Sequence, residues 1–136
     1  MRPFDVLIAS HGSVAASLVE AAGMICGDAS LQGVGAVGLA PDDSPESYLE
    51  RLRGRVDGSR PTLILTDLYG GTPHNVACTL ARRDGGEIRC ISGANLAIVI
   101  EAITTTDPLD DALVERLIQT TREAVVDATD PLATQH

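Results

Sequence analysis

At 136 residues, with 44% hydrophobic and 21% charged side chains, the chain has the size and make-up of one soluble globular domain. Its net charge of −9 opposes binding to nucleic acid or to an anionic membrane, and three aromatic residues (Phe4, Tyr48, Tyr69) are too few for a base-stacking platform. All ten basic residues are arginines, which excludes a P-loop lysine, Schiff-base chemistry and a lysine general base.

Residues 6–9 are short, continuously apolar and bounded by polar residues, the pattern of a buried strand. Ser10-His-Gly-Ser13 turns the corner, with Ser13 as N-cap of a helix whose apolar stripe is Val14, Leu18, Val19, Ala22 and Ile25. Gly27-Asp28 ends that helix. Residues 33–39 form a second strand, weakened by its glycines and so placed near a sheet edge. Ser44-Pro-Glu-Ser47 is a helix start, with Leu49, Leu52 and Val56 as its narrow apolar face.

A third strand, residues 63–66, delivers Asp67. Thr72 and Pro73 cap and open the next helix, which turns Val76, Ala77, Leu80 and Ala81 inward until Asp84-Gly-Gly86 stops it. Residues 88–91 form a fourth strand, and Ser92-Gly-Ala-Asn95 is another polar, glycine-containing strand-to-helix junction. The helix over residues 96–103 is apolar nearly all round, so it must be buried on more than one side; a subunit interface is one way. Asp107-Pro-Leu-Asp110 caps a last helix running to about Asp127. Residues 1–128 are read as a single domain and 129–136 as a tail, with His136 part of that tail.

Strands alternating with helices predict an α/β fold: an open, mostly parallel, doubly wound sheet with helices on both faces. Chemistry in such sheets gathers beyond the carboxyl ends of the strands, where His11 and Asp67 both fall. Cys26, Cys78 and Cys90 are widely spaced and read as reduced, mostly buried thiols. No secretory signal opens the chain, and the longest apolar run, residues 96–100, is too short to cross a bilayer, so a cytoplasmic location is expected.

His11 is the sharpest candidate for chemistry. A neutral imidazole nitrogen is a nucleophile near neutral pH, and a carboxylate on the other nitrogen fixes tautomer and ring direction. Asp67 is the matching carboxylate, unless it is simply a turn residue before two glycines, as His11 could be a turn histidine. A phosphoryl group on His11 would need backbone N–H donors at a helix N-terminus, which Gly12, Ser13, Gly70, Gly71 and Thr72 could supply, with the Ser13 or Thr72 hydroxyl assisting. Asn95 is either a helix cap or a contact to the site. His74 has a solvated or supporting role. No ligand spacing marks a metal site, no cofactor is called for, and the G-x-S-x-G of a serine hydrolase is missing.

Ile8-Ala-Ser-His-Gly-Ser13, Thr66-Asp-Leu-Tyr-Gly-Gly-Thr-Pro-His-Asn-Val-Ala77 and Ser92-Gly-Ala-Asn-Leu96 together resemble the mannose-type enzyme IIA domain of the bacterial phosphoenolpyruvate-dependent sugar phosphotransferase system. The resemblance runs in order from residue 1 to about 125. It implies a phosphocarrier and homodimer in which His11 takes a phosphoryl group from the small carrier HPr and passes it to a IIB protein, with Asp67 orienting the imidazole. No IIB-like sequence accompanies these residues, so the acceptor is expected on a separate chain. Two departures stand out: Ala97 and Ile98 replace the family's proline and methionine, and His74 replaces a usually uncharged residue.

Three rival readings share part of this pattern. A small tetrapyrrole metal chelatase also has H-G-S after its first strand, but would want a later histidine where Asp67 and Asn95 stand. A histidine phosphatase wants an arginine before the histidine, where this chain has Ser10. A purely regulatory phosphoprotein of the same family would share all these residues.

Overall fold

The computed structural model describes residues 1–84 and 87–132. In chain order the elements are β1 (Asp5–His11), α1 (Val14–Cys26), a short 3-10 turn (Asp28–Leu31), β2 (Val34–Leu39), α2 (Pro45–Arg53), β3 (Thr62–Thr66), α3 (Thr72–Asp84), β4 (Ile88–Ser92), α4 (Leu96–Thr104) and α5 (Asp111–Glu123). Among the described residues the strands form one all-parallel sheet in the order β2-β1-β3-β4. This is the expected α/β architecture, and the glycine-rich β2 is at an edge.

The central strands read as unbroken apolar runs because both of their faces are covered. Val6 and Ile8 of β1, with Leu63 and Leu65 of β3, face a core shared with α1, α4 and α5. Leu7, Ala9 and Ile64 face the opposite core, with Tyr48 and Leu52 of α2 and Val76, Ala77 and Leu80 of α3. The helix after β1 therefore packs on one face, and the helix after β3 on the other. The carboxyl ends of β1 and β3 are thus the topological switch point of this doubly wound sheet, the place where such folds bind ligands.

Several expectations are corrected in detail. His11 is the last residue of β1 rather than part of a turn, because β2 continues beside it: His11 is in register with Leu39. Helix α5 stops at Glu123, short of Asp127. Two consecutive β-branched residues, Val125 and Val126, follow, and the Asp127 carboxylate accepts from the Thr129 N–H at 3.0 Å, a turn that competes with helix. Val56 lies beyond the end of α2, whose buried residues are Tyr48 and Leu52. The glycines 85 and 86, expected to stop α3, and His136 lie outside the described residues.

Helix α4 finds part of the burial its composition demands within the chain, with Leu96, Ala97 and Ile100 left half-buried. Ile98, Val99, Ala102 and Ile103 are buried, and the helix packs against both α1 and α5.

Candidate active site

Adjacent central strands bring His11 and Asp67 together. Ala9 of β1 is in register with Thr66 of β3, so the two chains leave the sheet side by side, and the Asp67 N–H reaches back to the Ala9 carbonyl at 3.3 Å. A single carboxylate oxygen, Asp67 Oδ2, lies 2.9 Å from the His11 backbone nitrogen and 3.0 Å from ring Nδ1. A carboxylate only accepts, so Nδ1 carries the proton in the neutral ring and Nε2 keeps its lone pair. The His11 side chain is 44% exposed and that of Asp67 15%, so the carboxylate is sheltered while the ring meets solvent.

Two glycines make room for this geometry. A Cβ on Gly71 would lie 2.7 Å from His11 Cε1 and 3.3 Å from Nε2, closer than a side chain is tolerated. A Cβ on Gly38 of β2 would lie 2.1 Å from the Gly12 carbonyl oxygen, so that glycine lets the loop after His11 lie against the edge strand. The Gly12 N–H then donates to the Leu39 carbonyl at 2.9 Å.

Among the predicted phosphate-binding residues, Gly12 has its N–H in that bond, and the Gly71 N–H donates to Leu68 O at 3.1 Å. Among the described residues, the Ser13 and Gly70 N–H groups have no bond partner, and helix geometry leaves further donors open at the start of α3. Asn75 N–H bonds the Gly71 carbonyl at 2.9 Å, Pro73 has no N–H, and Thr72 and His74 remain. Gly71, not Thr72, thus stands at the cap position, and Thr72 is the first helical residue. Gly70 is exposed in the loop, where its carbonyl accepts from the Asn75 side chain at 3.2 Å.

Ser13 occupies the N-cap position of α1 but its side chain makes no capping bond. The cap comes from Ser10, whose buried Oγ accepts from the Ala15 N–H at 2.7 Å. The Ser13 hydroxyl is left exposed one residue beyond Gly12. Asn95 caps α4, its Oδ1 accepting from the Ile98 N–H at 2.9 Å. Among the described residues, no group of three or more His, Cys, Asp or Glu is placed to hold a metal ion.

A family model described as "PTS system fructose IIA component" matches residues 5–121. The chain belongs to that family. Among curated relatives, it is 29% identical over 125 residues to the "PTS system mannose-specific EIIAB component" of Escherichia coli strain K12, covering 88% of this chain and 38% of that protein. It is also 29% identical over 112 residues to the "PTS system fructose-specific EIIA component" of Bacillus subtilis, covering 77% and 72%. The solved mannose/sorbose-specific IIA subunit of Enterococcus faecalis superposes with a TM-score of 0.86 at 32% identity, covering 96% of this chain and 98% of that one. This IIA-family chain spans about 38% of the length of the mannose-specific relatives it matches.

Sequence reasoning missed two supports of the His11–Asp67 pair. Tyr48 is fully buried under the ends of β1 and β2, and its hydroxyl donates to the Val37 carbonyl at 2.7 Å. Burial pushes its phenol far above the usual tyrosine range, so it stays a neutral donor. Its signal was available, four residues before Leu52 on the same helix face. Arg51 lies over the Tyr48 ring and donates to the Gly38 carbonyl at 2.8 Å, on the outer edge of β2. His74 packs against the Tyr69 ring with centroids 4.9 Å apart, and its Nε2 is 3.6 Å from Cys78 Sγ.

Proposed function

We propose that this chain is a phosphohistidine carrier in which Nε2 of His11 accepts a phosphoryl group from HPr and passes it to a IIB component. The observation that carries the reading is the pair of bonds from His11 to Asp67 Oδ2, which spends Nδ1 and leaves Nε2 as the nucleophile. In the first step, the Nε2 lone pair forms a bond to phosphorus as the donor's phosphorus–nitrogen bond breaks, and the donor imidazole leaves with that electron pair. The reverse sequence delivers the group to IIB. Little covalent work falls to the protein, so positioning and charge carry the catalysis.

The His11 ring gains positive character as the new bond forms, and the sheltered Asp67 carboxylate on Nδ1 stabilises it. The incoming oxygens need donors. Thr72 and His74 N–H at the start of α3 serve, with the Ser13 and Thr72 hydroxyls beside them.

A mannose/fructose-type sugar system fits the relatives' printed names, and a homodimer is carried over from the family resemblance. On helix α4, α1 and α5 cover the face of Ile98, Val99, Ala102 and Ile103, while Ala97 and Ile100 stay half-buried outside both cores and are the part of the helix left for such a contact. A cytoplasmic site of action belongs to the same reading; no helix among the described residues is long and apolar enough to cross a membrane. Incubation with phosphoenolpyruvate, enzyme I and HPr is predicted to add one acid-labile phosphoryl mass, lost in His11→Ala. Label that persists in His11→Ala contradicts the assignment.

A further inference from the structure

Large apolar side chains stand exposed around the mouth of the site. Val14 is 44% exposed, Leu68 58% and Tyr69 82%, and each lies within three residues of His11 or Asp67 along the chain. Exposed apolar side chains on both loops that carry the site offer contact surface to a molecule docking there. His11 stands at the same open rim. Transfer between two imidazoles requires the donor's phosphohistidine to reach Nε2 in line, so the donor protein's own surface must pass over these three residues.

Tyr69 has the features of an anchor. Its ring projects into solvent, yet it is braced before anything binds: His74 lies against it at 4.9 Å, with the planes tilted by 48°. The brace is itself fixed, since His74 sits in the first turn of α3 with Nε2 near Cys78 Sγ. The Tyr69 hydroxyl has no hydrogen-bond partner among the described residues. An aromatic ring held in place loses little freedom on binding, and such rings carry a disproportionate share of interface energy.

We propose that Tyr69, braced by His74, is the anchor that seats the phosphohistidine-bearing donor protein over His11. This rests on the phosphocarrier reading and adds a role that the transfer chemistry itself does not require. Tyr69 grips the donor, and His74 positions Tyr69.

The test measures phosphorylation of His11 by phospho-HPr and, separately, by phosphoramidate, a donor too small to reach the anchor. Tyr69→Ala should raise the KM for phospho-HPr roughly tenfold while kcat stays within about twofold. Its phosphoramidate rate should match wild type. Tyr69→Phe should keep most of the affinity. His74→Ala should raise KM in part, and His74→Phe, which retains a ring against Tyr69, should restore it. An unchanged KM in Tyr69→Ala overturns the anchor while leaving the carrier reading intact. An equal loss with both donors also overturns it, because Tyr69 would then be shaping His11. A wild-type protein that phospho-HPr never labels overturns the carrier reading and this inference with it.

Discussion

The empty position of a side chain on Gly71 lies 2.7 Å from Cε1 of His11, so the glycine and the imidazole share one space. Gly71 is not in the left-handed region of backbone space, and an alanine there meets little other than the ring. Gly71→Ala should therefore fold with near-normal stability but push the imidazole off its bond to Asp67. A displacement of this size costs about ten- to a hundredfold in transfer rate. Rapid-quench phosphorylation beside a thermal melt checks this; an unaltered rate would mean that the ring's position is not set by residue 71.

Asp67→Asn should keep one oxygen for the His11 backbone N–H, because the amide retains an acceptor. The ring loses its charged partner and its enforced tautomer, so phosphoryl transfer should fall by about a hundredfold or more. Circular dichroism and a denaturation midpoint should show the fold intact. Equal rates for variant and wild type would remove Asp67 from the mechanism.

Ser10 and Ser13 flank the histidine loop and should behave oppositely. Ser10→Ala strips the buried Ala15 N–H of its acceptor and should cost about 1 kcal/mol or slightly more. Ser13→Ala removes an exposed hydroxyl with no capping bond and should stay within about 0.5 kcal/mol. Urea denaturation of both variants decides it, and the reverse order would reinstate Ser13 as the cap.

Those two serines show how far the sequence could be read. The alternation of apolar runs and helix starts set out the α/β sheet, because burial on both faces leaves a strong pattern in residues 6–9 and 63–66. It also put His11 and Asp67 at one sheet edge, since both follow such runs. What it could not settle was which of two neighbouring serines turns back to cap α1, a matter of side-chain direction. Tyr48 and Arg51 were missed for a related reason: their value lies in contacts with the Val37 and Gly38 carbonyls of β2, across more than ten residues of chain. The apolar α4 was legible as buried, but its cover, α5, lies beyond the reach of local periodicity.

Asp43 gives a pH dependence with a defined sign. The Ala40 N–H, then the Ser47 hydroxyl and Arg51, hold its carboxyl below the ordinary 3.8. A depressed carboxyl stabilises the fold above its unfolded value and loses that contribution as pH falls through the folded one. Wild type should therefore lose stability on acidification below about pH 4, and Asp43→Asn should lose less over the same interval. The gap between the two proteins' denaturation midpoints should narrow steadily as pH is lowered from about 6 through the ordinary carboxyl range and below it; parallel curves would assign the acid sensitivity to other carboxyls.

The central claim is that Asp67 reserves Nδ1 and leaves Nε2 of His11 to take the phosphoryl group. Nitrogen–phosphorus coupling in ¹⁵N-histidine-labelled, phosphorylated protein measures this directly. The geometry predicts phosphorus on Nε2 of His11, with Nδ1 still protonated against Asp67. Phosphorus on Nδ1, or on His74, would contradict it.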